Sequence, residues 1–473
     1  MTQVRIEHDL LGDREVPAEA YYGVHTLRAQ ENFRITGITI ASFPELVIAM
    51  ASVKQAAAEA NTELGLLAPS LRDAIVAACK EIRGGALHDQ FVVDVIQGGA
   101  GTSTNMNANE VICNRALELL GHHRGEYQHL HPNEHVNMAQ STNDVYPTAI
   151  RIATCFAIER LLQAMEHLRA AFAAKSVEFA GLMKIGRTQL QDAVPMTLGQ
   201  EFSTYDVMLG EDILRLTEAS ALIREINLGA TAIGTGITAH PEYAGTALKY
   251  LVDITGLDLS TAPNLIEATQ DCGAFVQLSG VLKRIAVKLS KTCNDLRLLS
   301  SGPRSGFGEI NLPPMQAGSS IMPGKVNPVI PEVVNQVAFE VFGNDLTVTF
   351  AAEAGQLQLN AFEPIIFNAL HKSFKHLTNA CTTLADRCIV GITANPDRLR
   401  DSIERSISLV TALNPFIGYA AATSVAAEAF ANGTNVREVV LGRGLMTATE
   451  LDDALRHEVL TQPRKYEIAQ RSH

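Results

Sequence analysis

Phe275, Leu278, Leu282, Ile285, Leu289, Leu296 and Leu299 recur at steps of three and four residues, and within the series only Thr292 falls on an expected apolar position. An apolar seam sustained over that length fits a long helix packed against other helices. Two more stretches repeat the pattern: Ile158, Leu161, Leu162, Met165, Leu168 and Phe172, and then Phe202, Tyr205, Leu209, Ile213, Leu216, Ile223 and Ile226. Shorter helical patterns precede them at Leu46, Val47, Met50 and Val53 and at Leu71, Ile75, Val76, Cys79 and Ile82. Strand-like alternation is scarce, so the expected fold is mainly α, with a central bundle of long helices. Helices of this length are buried more completely by several neighbours than by one small domain, which points to a homo-oligomer sharing a helical core.

The chain has 473 residues, 47% of them hydrophobic and 19% charged, enough for a large core and more than one domain. Breaks in texture place the expected limits at 1–141, 142–396 and 397–473, the last opening near Asn395-Pro396-Asp397. No apolar run reaches membrane-spanning length and the first residues are polar, so no membrane partner and a cytoplasmic location are expected. Seven scattered cysteines, odd in number and never spaced C-x-x-C, argue for reducing cytosol and against disulfides or a structural zinc site. A formal net charge of −13 makes nucleic acid an unfavourable partner. It also repels anionic small molecules at long range, so an anionic ligand must be held by local donors.

Those donors concentrate in polar runs between the helical patterns. Gly318-Ser319-Ser320-Ile321-Met322-Pro323-Gly324-Lys325-Val326-Asn327-Pro328 brings together two hydroxyls, two glycines, a lysine and an amide just before a helix start at Val329-Ile330-Pro331. Glycines admit backbone N–H groups close to a ligand, the lysine adds full charge, and the following helix turns its positive end toward the loop. Ile321, Met322 and Val326 are interleaved with the polar residues, which suits a loop pinned against a core. A Walker A loop does not fit, because five residues separate Gly318 from Gly324 and Val326 stands where a metal-binding hydroxyl belongs.

A second run, Gln97 to Glu110, is expected to cap an apolar helix beginning near Val111 and to leave N–H groups for a carboxylate. The third is His131-Pro132-Asn133-Glu134-His135 continuing through Asn137 to Ser141-Thr142-Asn143-Asp144. Its two histidines invite a zinc reading, but Pro132 follows the first, Glu134 directly precedes the second and no third ligand is apparent, so no metal site is assigned. The fourth, Gly186-Arg187-Thr188-Gln189-Leu190-Gln191-Asp192, breaks two long helices. Residues 1 to about 40 are too polar and broken for a core helix and read as an N-terminal arm.

Together these runs resemble the signatures of the fumarase/aspartase superfamily over nearly the whole chain, and Ser141-Thr142-Asn143-Asp144 is closest to its aspartase branch. The resemblance implies a three-domain lyase whose long helices form the multi-helix core of a homotetramer, each active site taking residues from three subunits. It implies reversible loss of ammonia from L-aspartate to give fumarate, with Ser319 as the base that removes a Cβ proton. Ser320, Thr102, Ser141 and Thr142 would meet the carboxylate that gathers charge, Lys325, Asn327 and Thr188 the other carboxylate, and Asn143 with Gln189 the amine. Arg28 matches an arginine that the family places near the site, and a solvated arm arginine is the competing reading. No cofactor is expected, since the carboxylate itself is the electron sink.

Fumarate hydratase is the alternative activity. Many members of the superfamily carry histidine where Gln189 stands, and glutamine cannot exchange protons at neutral pH, which weighs against it. A structural protein on the same scaffold is a further alternative, opposed by the intact Ser319, Lys325 and Asn327.

Overall fold

The apolar seam from Phe275 to Leu299 lies within one helix, Gly273–Leu299, with every seam residue buried and Thr292 buried among them. Each fully buried leucine or isoleucine here contributes roughly 1.5–3 kcal/mol of transfer free energy. The other long patterns form Thr142–Glu178, which carries Pro147 inside its first turns, and Leu198–Ile223. Val329–Glu353 and Glu363–Arg387 complete the set, Pro331 sitting in the first turn of the former, where its missing N–H costs nothing. Apolar residues are also left on outer faces. Phe339, Leu346 and Phe350 stand on one stripe of the Val329–Glu353 helix at 60%, 56% and 64% exposure, a face that invites another helix.

The computed structural model describes residues 3–463. They belong to two compact units, one of Met1–Gln163, Asp212–Ala286 and Val337–Thr378, the other of Ala164–Glu211, Val287–Gln336 and Asn379–His473. Residues 464–473 of the expected C-terminal domain lie outside the described part.

In the first unit the expected N-terminal arm is instead a hairpin, Val4–Asp9 paired antiparallel with Gly12–Pro17, followed by the helix Val24–Asn32. The strands are too polar to show alternation, because of their residues only Glu7 and Val16 are buried. Arg28 locks this element. Its guanidinium makes a bidentate pair with Asp9, both contacts 2.7 Å, and donates to the Gly12 carbonyl at 2.9 Å. Pro44–Glu63, Pro69–Arg83 and Thr102–Leu119 then pack as neighbouring helices.

In the second unit the break at 186–195 is a hairpin, Met183–Thr188 paired with Gln191–Thr197, rather than an irregular link. Within its first strand Lys184 is 2% exposed and lies 2.7 Å from Glu309, which also receives Arg187 at 2.6 Å. Leu409, Leu413, Val425, Val436, Val440 and Leu451 build a separate small core near the C-terminus, and a capping box of Thr447 and Glu450 starts the Ala448–Ala454 helix. No helix among the described residues is long and apolar enough to cross a membrane.

Candidate active site

The helix carrying Thr102 starts at Thr102 itself, nine positions before the apolar stretch that was expected to open it. Gly101 sets the start: its φ is +91°, and a Cβ there would sit 2.4 Å from the Tyr146 ring. The polar run survives inside the helix because distant groups satisfy it. Glu110 accepts from the backbone N–H groups of Gly23, His25 and Thr26 and from the Thr26 hydroxyl. Asn107 accepts from Val92 N–H and donates to the Gln90 carbonyl. Thr102 stays exposed at the helix N-terminus, its hydroxyl donating to Gly99 O at 2.7 Å.

Asn105, on the same helix, donates to Thr142 Oγ1 at 3.0 Å, so the first unit joins the second and third polar runs. Below them lies Lys54, fully buried, donating to Asn137 Oδ1 and Gln140 Oε1 at 2.8 Å each. Asp144, equally buried, accepts from Ser141 N–H at 3.0 Å, Gly229 N–H at 3.1 Å and Thr231 N–H at 2.9 Å. Burial pushes the Lys54 ammonium down to about 7, and it pushes the Asp144 carboxyl up to about 7 against the pull of those N–H donors.

These buried groups fix the segment above. Asn143 N–H donates to Ser141 Oγ at 3.2 Å, and Asn227 donates to the Asn143 carbonyl. The Asn143 amide donates to Ala232 O at 2.7 Å, an orientation that leaves its Oδ1 as an acceptor.

In the second unit the Ser319 loop is closed by its own hydrogen bonds. Gly318 N–H donates to Lys325 O at 2.8 Å, Ala317 bridges Val326, and the Asn327 amide donates to Gly318 O at 2.6 Å. A Cβ on Gly318 would lie 2.7 Å from the Asn327 nitrogen, so this approach needs glycine. Within the loop, Ser319 Oγ accepts from Met322 N–H at 2.8 Å and Ile321 N–H at 3.2 Å. The expectation of a loop pinned against a core is corrected: Ile321, Met322 and Val326 are 83%, 49% and 50% exposed, and internal hydrogen bonding replaces packing. Ser320 and Lys325 are exposed beside it. Thr188 and Gln189 occupy the tip of the 183–197 hairpin, where Gln189 and Leu190 hold φ of 53° and 63°. A two-residue turn with both φ positive matches the twist of the strands, but for non-glycine residues it stores strain.

Residues 12–343 match a lyase family, and residues 409–462 match the fumarase C C-terminus. Aspartate ammonia-lyase of Pseudomonas fluorescens is 60% identical over 461 residues, covering 97% of this chain and 96% of that protein. The chain belongs to the fumarase/aspartase superfamily. Aspartate ammonia-lyase of Escherichia coli strain K12 is 57% identical over 97% of this chain and 96% of its own. Among solved structures, a fumarate lyase/delta crystallin from Brucella melitensis bound to cobalt superposes with a TM-score of 0.96 at 57% identity, covering 98% of this chain and all of that one. A class II fumarase from Schistosoma mansoni superposes at 0.92 with 34% identity, covering 97% and 99% of the two chains.

Set in this superfamily, the sequence-derived residues fall into two sets. Thr102, Ser141, Thr142 and Asn143 lie in the first unit, where Asn105 ties Thr142 to the helix that Thr102 opens, while Thr188, Gln189, Ser319, Ser320, Lys325 and Asn327 lie in the second. His131 and His135 serve the backbone: Nδ1 of His131 accepts from Asn133 and Glu134 N–H, and Nδ1 of His135 accepts from His131 N–H. Sequence reading missed Lys54, the one basic residue of an alanine-rich helix that also carries Glu45, Glu59 and Glu63. It also assigned nothing to Asn105, Asn137 and Gln140, whose roles depend on contacts between separate elements.

Proposed function

We propose that this protein is an aspartate ammonia-lyase that converts L-aspartate reversibly into fumarate and ammonia. Removing a Cβ proton pushes a second negative charge into the neighbouring carboxylate, so the site must supply both a base at carbon and donors at that carboxylate. Ser319 is the base. The observation that carries this reading is the pair of backbone N–H groups directed at Ser319 Oγ, at 2.8 and 3.2 Å. Hydrogen bonds to the ionised form favour it, and the Lys325 ammonium in the same loop adds charge of the right sign.

Ser320, Thr102, Ser141 and Thr142 receive the carboxylate that becomes dianionic, and Lys325, Asn327 and Thr188 hold the other. An ammonium group presents only donors, so its pocket needs acceptors, and the free Oδ1 of Asn143 with the Gln189 amide oxygen provides them. Departing hydroxide needs a proton instead, which glutamine cannot deliver. This separates the proposed reaction from fumarate hydration, and the relatives at 57–60% identity that are aspartate ammonia-lyases support it.

The catalytic assembly is a homotetramer in which each site draws on three subunits. Support comes from the exposed stripe of Phe339, Leu346 and Phe350 and from the division of the site residues between two units. The working domain limits remain 1–141, 142–396 and 397–473, and the separate core from Leu409 to Ala454 supports the last. The setting is the cytosol, consistent with seven free, buried cysteines. The test runs both directions. L-aspartate should yield fumarate while L-malate does not at a comparable rate, and fumarate should be consumed only when ammonium is supplied. Efficient malate dehydration with inert aspartate would replace this reading with fumarase.

A further inference from the structure

We propose that His122, Glu126 and His129 form a binding site for a divalent transition-metal ion, in the turn after the Thr102–Leu119 helix and separate from the proposed catalytic residues. One ligand atom from each residue lies within 4.8 Å of the others, and this is the one such cluster found among the described residues. Glu126 Oε2 stands 3.6 Å from His122 Nδ1, and the two imidazole rings stack with centroids 3.8 Å apart and planes 4° from parallel. Stacked rings aim their lone pairs side by side rather than at one point. Coordination therefore requires a side-chain rotation, in which the exposed His129 gives up its stack on His122.

The scaffold under the three side chains is already fixed, which lowers the entropy cost of gathering them. His122 N–H donates to Leu117 O at 2.9 Å, and His129 N–H to Glu126 O at 3.0 Å. Asn114, fully buried, accepts from Gly125 N–H at 2.8 Å and donates to Tyr127 Oη at 3.2 Å. Glu126 is oriented by His123 N–H, which donates to its Oε2 at 3.0 Å. Positive charge nearby is compensated: Arg124 pairs with Glu118 at 2.7 Å and lies over the Tyr21 ring, and Arg115 pairs with both Glu81 and Glu118.

Two imidazole nitrogens and one carboxylate oxygen are a borderline donor set, suited to Zn2+, Co2+, Ni2+ or Cu2+ and poorly suited to Mg2+ or Ca2+. Three protein ligands leave a further position for water or another donor. A stacked histidine pair on a surface turn is the competing description, and it makes the opposite prediction about metal.

The test titrates the intact, metal-free oligomer with Zn2+ by calorimetry and with Co2+ by visible absorption. The expected result is about one Zn2+ per chain and a Co2+ spectrum distinct from that of the hydrated ion. Glu126→Gln and His129→Ala should each weaken Zn2+ binding roughly tenfold or more, because losing even an outer partner of a ligand costs about 10–100-fold. His123→Ala, an exposed neighbour outside the cluster, should bind as the wild type does. All three variants should release fumarate from aspartate in metal-free buffer, which verifies folding. Absence of stoichiometric binding, unchanged binding by Glu126→Gln/His129→Ala, or an equal loss in His123→Ala would overturn the site.

Discussion

Replacing Ser319 by cysteine turns the electrostatics of the loop into a measurable titration. In the structure Ser319 Oγ accepts two backbone N–H bonds, at 2.8 and 3.2 Å. A hydrogen bond to an ionised acceptor is stronger than one to a neutral acceptor by about 1 kcal/mol, so two favour the anion by about 2 kcal/mol. At about 1.36 kcal/mol per unit this amounts to roughly 1.5 pK units. A thiol at this position should therefore ionise near pH 7 instead of about 8.5, before any further help from Lys325. The background is low: all seven native cysteines are free and buried, and burial pushes Cys79, Cys381 and Cys388 up to about 12. The pH dependence of alkylation by iodoacetamide, or thiolate absorbance, reads the value directly in Ser319→Cys. A midpoint at or above that of a free thiol would show that the loop does not stabilise an anion at this atom, and the proposed base would lose its physical support.

Lys325→Met should weaken succinate binding sharply, and Lys325→Arg should also impair it because the planar fork is bulkier and aimed differently; calorimetry with the dicarboxylate measures both. Mixing Asn143→Leu and Ser319→Ala subunits after dissociation should restore activity to about one quarter of wild type, as random pairing of two independent contributions gives in a shared site; no recovery would argue against sites built from different subunits. Lys54 carries a folded-state pKa depressed from 10.5 to about 7 by burial, so the unfolded chain binds more protons between those values and stability rises with pH across that window. Thermal unfolding of wild type relative to Lys54→Met should therefore improve from pH 7 to pH 9.5, and a flat difference would place the charge elsewhere.

The long helices were legible because a seam such as Phe275 to Leu299 has only one way to bury itself, and the structure places each of those residues inside. The polar runs were legible for the opposite reason, as hydroxyls, amides and glycines with no apolar face of their own. What failed was local structure decided by distant partners. The polar first turns of the Thr102 helix persist because Glu110 is satisfied by Gly23, His25 and Thr26, nearly ninety residues earlier in the chain. The 183–197 hairpin turns through Gln189 and Leu190, both at positive φ without the glycine or asparagine that marks such a turn. Apolar residues in the Ser319 loop suggested packing, yet they stand exposed in the chain. The His122, Glu126 and His129 cluster follows no regular ligand spacing and is gathered by the turn that carries it, whereas the more conspicuous pair His131 and His135 has its Nδ1 atoms occupied by the backbone.

The most direct measurement is the rate of fumarate release from L-aspartate by Ser319→Ala, with the oligomer verified intact and succinate binding checked in parallel. If Ser319 removes the Cβ proton, turnover should fall by at least the ~10²–10⁴-fold that a lost general base costs while the dicarboxylate still binds. Near-normal turnover in that variant would remove Ser319 from the mechanism and contradict the account.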